Sequence, residues 1–200
     1  KVNPINGGYG ALVLNHVDGV IIRDVTFRQC NMHAIQLSDV HRFRVDGVTF
    51  DRQGRDGVHV HGACDWGVIR RVAGDSKDDF VALNSWDWCH TSPTIGPIHH
   101  VLVEDSACVY APNGDRPEGC GAIRIQPGNR KRPDGKGVCA CPIDALVFRR
   151  LRNVREFKMY DQPNLEQGRD VDRSEPIGTM REIYFDSLTY DRPGVFEIAD

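Results

Sequence analysis

Three carboxylates have the type and spacing for acid–base chemistry. Asp56 opens Asp-Gly-Val-His-Val, and Asp78 and Asp79 open Asp-Asp-Phe-Val-Ala-Leu, so the intervals from position 56 are 22 and 23. Carboxylates brought within several Å of one another separate in pKa, so one can stay protonated while another is ionised. One acid for a leaving oxygen and one base for a water is what glycoside cleavage requires. The competing uses of these aspartates are turn formation and ligation of a structural calcium ion. Candidate binding groups surround them. His59 and His61 follow Asp56, Asn84 closes the strand begun by Asp79, and Trp86 and Trp88 come directly after it. The tryptophans serve either as stacking surfaces for sugar rings or as buried loop anchors.

These residues meet only if the chain returns to the same place at that interval, and a repeat of matching length is present. Ile22, Val25 and Phe27 recur as Val45, Val48 and Phe50, each at an interval of 23. The same strand returns less cleanly at Val68–Val72, Val101–Ser106, Val147–Leu151 and Ile183–Leu188. A second strand family contains Leu12, Ile35, Val58 and Val81, again 23 apart, then Ile123 and Phe157 after longer intervals. Insertions at 85–97, 109–121, 126–141 and 161–178, rich in Pro, Gly, Asp and Asn, account for the stretching. A unit this short cannot bury its own apolar side chains. Stacking units about 4.8 Å apart pairs each strand with its neighbour and buries a column of Val, Ile, Leu and Phe. The expected fold is all-β: a right-handed parallel β-helix of about six or seven coils with long loop insertions. A β-sandwich would not hold so constant a register.

Side-chain parity then separates the faces. In the second family, Leu12, Leu14, Ile35, Leu37, Val58, Val60, Val81, Leu83, Ile123 and Ile125 point inward. The outward positions form two columns: Gln36, His59, Ala82, Arg124 and Lys158; and Ser38, His61, Asn84, Gln126 and Tyr160. This face is polar and partly cationic, and the insertions are placed to wall it into a groove. Arg124, Gln126, Lys158 and Tyr160 are therefore candidate substrate binders. Outward positions of the first family (Arg23, Arg44, Asp46, Arg70, Glu104, Arg149) read as ordinary solvated surface. His99 and His100 read as structural, and Asn129–Arg132 as a solvated loop tip.

Composition narrows the function. Of 200 residues, 25 are basic and 28 acidic, a net charge of −3, which gives no general pull toward nucleic acid or an anionic membrane. No apolar run approaches the roughly 18 residues of a membrane span, and the opening residues read as no signal peptide. The seven cysteines are scattered and odd in number, so most read as small buried residues with room for one or two disulfides. The whole of 1–200 reads as a single β-helix domain. It begins and ends as a segment of a longer protein would, with further domains or self-association expected to cover the open ends.

With Asp56-Gly-Val-His-Val followed by Gly74-Asp-Ser-Lys-Asp-Asp-Phe-Val-Ala-Leu-Asn84, the chain resembles the pectin-lyase-like β-helix superfamily, and within it the polygalacturonase-type enzymes of glycoside hydrolase family 28. Asp56 falls in that family's Asn-Thr-Asp-Gly element, and Asp78 with Asp79 in its Gly-Asp-Asp element. The resemblance implies inverting hydrolysis of a polysaccharide or oligosaccharide, uronate-containing ones included. Asp78 would be the general acid, with Asp56 and Asp79 holding or activating water. It implies no resident metal or cofactor, beyond the calcium reading above, and a secreted, periplasmic or cell-surface location. Two elements depart. Gly119-Cys-Gly stands where Gly-His-Gly is expected, so Cys120 replaces a histidine. The family's Arg-Ile-Lys element corresponds either to Phe157-Lys-Met-Tyr160 or to Arg124-Ile-Gln126. The rival readings are a polysaccharide lyase or epimerase on the same fold, and a non-catalytic glycan-binding or tailspike-type module.

Overall fold

A computed structural model describes residues 10–86, 94–109, 121–132, 136–160, 176–191 and 193–198. Among these residues the protein is all-β, with no helix, and all but two of its strands form one large parallel sheet that curls on itself. The curl follows from the repeat. Successive units contribute strand segments to as many as three stacks.

The first stack carries the second strand family. Its registers run Leu12–Ile35–Val58–Val81–Ile123–Phe157–Phe196, every pair parallel. The second stack aligns Ile22, Val45, Ile69, Val103, Phe148 and Phe185. The third is short and aligns Thr26, Thr49, Ala73 and Ala107. Interior positions of all three stacks meet in one continuous core. Aromatic rings continue it from unit to unit: Phe50 meets Phe80 edge-on at 6.2 Å, and Phe148 meets Phe157 edge-on at 5.5 Å. Burying such a ring stabilises the fold by about 1.5–3 kcal/mol.

Corners are made by left-handed backbone at matching positions. Gly19, Arg42, Trp66, His100, Ala145 and Glu182 share this conformation, as do Asp24, Gly47, Arg71, Asp105 and Arg150. Each set sits at one register, so the bend repeats with the strands. A positive φ is costly outside glycine, and here the flanking ladder hydrogen bonds hold it in place.

Two surface expectations are corrected. The outward positions of the second stack are an ordered charge ladder. Arg23, Asp46, Arg70, Glu104, Arg149 and Asp186 alternate in sign along one register. Asp46 is fully buried and accepts hydrogen bonds from Arg44 (2.6 Å), Arg70 (3.0 Å) and Arg71 (2.6 Å). Glu104 accepts from Arg149 (2.8 Å) and Arg150 (2.7 Å). Nor is Asn129 a solvated tip. It is buried in the strand Gly128–Lys131, which pairs antiparallel with Val138–Cys141. His99 and His100 are engaged as expected: His99 pairs with Asp144 at 2.5 Å, and His100 stacks on Trp66. Cys30, Cys64, Cys139 and Cys141 carry free thiols. Cys89 and Cys120 lie outside the described residues.

Candidate active site

Register explains how the carboxylates meet. Asp56 precedes the strand Val58–His61, and Asp79 begins the strand Asp79–Asn84 stacked directly on it. Gly57 permits the approach. A β-carbon there would stand 2.4 Å from the Phe50 ring and 2.6 Å from the Phe80 carbonyl oxygen. The Asp79 backbone N–H donates to Asp56 Oδ1 at 3.2 Å, locking the two units together at this point. Carboxylate oxygens of Asp56, Asp78 and Asp79 all lie within 4.8 Å of one another.

The three acids have different surroundings. Asp56 and Asp79 are buried, whereas the Asp78 side chain is 38% exposed. Asp56 Oδ2 accepts from His59 Nδ1 and lies 3.4 Å from His33 Nδ1. Asp79 Oδ2 accepts from Arg124 Nε at 2.8 Å, and its Oδ1 faces Lys158 Nζ at 3.6 Å. Asp78 accepts from Arg55 at 3.2 Å.

Their acidities diverge accordingly. Burial works against charge on Asp56, but the His33 and His59 rings and Arg124 overcome it and hold the carboxyl well below the usual range. Burial drives the Asp79 carboxyl up to about 7 against the pull of Arg124, with Asp56 and Asp78 adding to the rise. Asp78 is raised by burial and by Asp56, against Arg124 and Arg55. A low carboxylate beside raised ones is a division of labour suited to acid–base catalysis.

Both candidate cations converge on Asp79. Arg124 and Lys158 occupy one register of adjacent strands, so the two alternatives for the arginine–lysine element meet in space. Arg124 also donates to Gln126 Oε1 at 3.3 Å and lies 5.9 Å from the centre of the Tyr160 ring. Lys158 pairs with Glu156 at 3.3 Å.

The polar face is more enclosed than its composition implies. Gln36, Ser38, His59, His61, Asn84 and Gln126 are all buried. Trp86 is a buried anchor: its indole N–H donates to the Pro127 carbonyl at 2.9 Å, and its backbone oxygen accepts from Gln126. A ring held this way offers no face to a sugar. Trp88 lies outside the described residues. Access to the acids therefore comes from the Asp78 side, where the Asp78 and Arg55 side chains and part of Lys158 reach solvent.

No family model, curated protein or solved structure matches this chain.

His33, Arg55 and Glu156 join the site without having been read from the sequence. His33 carried a usable signal, because the interval from position 33 to 56 equals that from 56 to 79. Its ring lies tilted against that of His59, centroids 4.2 Å apart, and His59 lies likewise against His61 at 4.2 Å.

Proposed function

We propose that the chain is a right-handed parallel β-helix and an inverting glycoside hydrolase acting on a polysaccharide or oligosaccharide. The observation that carries this reading is the convergence of Asp56, Asp78 and Asp79 from successive units, their oxygens within 4.8 Å, with only Asp78 substantially open to solvent. Asp78 gives its proton to the leaving glycosidic oxygen. A water held between Asp56 and Asp79 attacks the anomeric carbon and loses its proton to the pair. A water bonding two oxygens at about 2.8 Å each spans gaps up to roughly 5.6 Å, which accommodates the observed approach. Lys158 and Arg124 provide the positive charge that a uronate carboxylate would require.

The spacing is tighter than the roughly 6.5–9.5 Å common in inverting pairs, so product stereochemistry tests the mechanism directly. Reducing-end release from a glycan panel, uronate polymers included, is expected from the wild type and should fall about 10²–10⁴-fold in Asp78→Asn. Unchanged turnover in that variant would defeat the assignment. The cations beside the acids also favour a lyase on this scaffold, and an ultraviolet-absorbing unsaturated product in place of plain reducing ends would select it.

A further inference from the structure

Asp56 also faces two imidazoles to which the proposed hydrolysis assigns no role. His33, Asp56 and His59 each bring a ligand atom within 4.8 Å of the other two, and all three residues are buried. We propose that His33, Asp56 and His59 form a binding site for one divalent transition-metal ion of the zinc class.

The donor set selects the ion. Two imidazoles and one carboxylate suit zinc and its neighbours, whereas calcium takes six to eight oxygens. One donor pair already has the separation of two ligands. Ligand atoms about 2.0–2.1 Å from a tetrahedral ion stand roughly 3.4 Å apart, and His33 Nδ1 lies 3.4 Å from Asp56 Oδ2. Both imidazoles present Nδ1 to this one oxygen, so three donors converge on a point.

The surroundings are those of a ligand site. A metal-bound imidazole is normally oriented through its other nitrogen, and the Asn84 amide stands 3.5 Å from His59 Nε2. The O and N of that amide exchange by a flip, so it can accept from Nε2–H while Nδ1 binds the ion. Asp56 is held from behind, its Oδ1 fixed by the Asp79 N–H. His61, fully buried, has no hydrogen bond at either ring nitrogen among the described residues, and its ring packs 4.2 Å from that of His59. A desolvated imidazole without a partner is unfavourable in a closed core, and here it adds a nitrogen donor one ring away from the cluster.

The test uses the full untagged chain, stripped with a chelator and dialysed free of it. Titration with Zn²⁺ in a calorimeter should show one ion per chain with Kd below about 1 μM, and the melting temperature should rise with zinc. His33→Ala and His59→Ala should each weaken binding at least ~100-fold. Should those buried substitutions prevent folding, Co²⁺ added to the wild type decides. A visible absorption band of a low-coordinate nitrogen–oxygen site supports the proposal, and the spectrum of hydrated cobalt overturns it. Absence of zinc binding by the folded wild type at about 100 μM metal would also overturn it, as would undiminished binding in folded His33→Ala and His59→Ala. A chain that binds zinc but cleaves no glycan would sink the hydrolase and leave the metal site standing. Cleavage by a chain that takes up no zinc would do the reverse.

Discussion

Asp46 and Asp79 are both buried aspartates of the same curled sheet, and they are pushed in opposite directions. At Asp46 burial is outweighed by Arg44, Arg71 and Arg70, and the carboxyl falls to about 2. At Asp79 burial prevails over Arg124, two further carboxylates crowd in, and the carboxyl rises to about 7. Burial is common to both, so the arrangement of neighbours decides the sign. Along the second stack, acids and bases alternate from unit to unit, and the buried Asp46 and Glu104 are each held by arginines. At the edge of the first stack, acids are placed beside acids. The first pattern stabilises the fold, and the second stores unfavourable energy where chemistry would use it.

Breaking the ladder should have the largest effect on stability. Asp46→Asn leaves three guanidiniums around a site without its counter-charge. We expect a loss of about 2 kcal/mol in chemical denaturation, below the ~3–5 of a fully enclosed pair because the arginines are partly solvated. No loss would mean that the ladder is ornamental.

Titration sharpens the contrast. The depressed Asp46 group contributes stability that is present above about pH 4 and lost as pH falls toward 2. The raised Asp79 group acts in reverse, its contribution complete below about pH 4 and lost as pH climbs to about 7. Asp79→Asn should therefore gain stability relative to wild type between about pH 4 and pH 8. A relative loss over that interval would show that Arg124 keeps Asp79 ionised throughout.

The smallest effect is expected at the outermost rung. Arg42 and Asp18 pair on the surface with both side chains more than half exposed. Asp18→Ala should change stability by no more than about 0.5 kcal/mol. A larger change would mean that this surface pair is coupled to its neighbours rather than isolated.

Much of this was legible in the residues, for a physical reason. A stack of parallel strands demands a constant length per unit, so Ile22, Val45 and Leu12, Ile35, Val58 declare their partners by spacing alone. Asp56, Asp78 and Asp79 follow from the same count. Enclosure was not legible. Whether His61 or Gln126 faces water depends on the path of the intervening segments, which no repeat governs. Trp86 illustrates this: its type suits a sugar platform, but its indole proton is taken by Pro127. The charge ladder escaped for another reason, since alternation of sign appears only when positions one unit apart are read side by side, across the longest insertions.

The repeating corners have a consequence for how such a chain can change. The same interval of ten separates Val17 from Phe27, Val40 from Phe50, Cys64 from Gly74 and Ile98 from Cys108, whatever lies between these arcs. That arc serves as a fixed measuring stick. Growth and deletion are confined to the two seams bordering the acidic edge, so the surroundings of the reactive groups can be rewritten freely while the frame that aims them keeps its gauge.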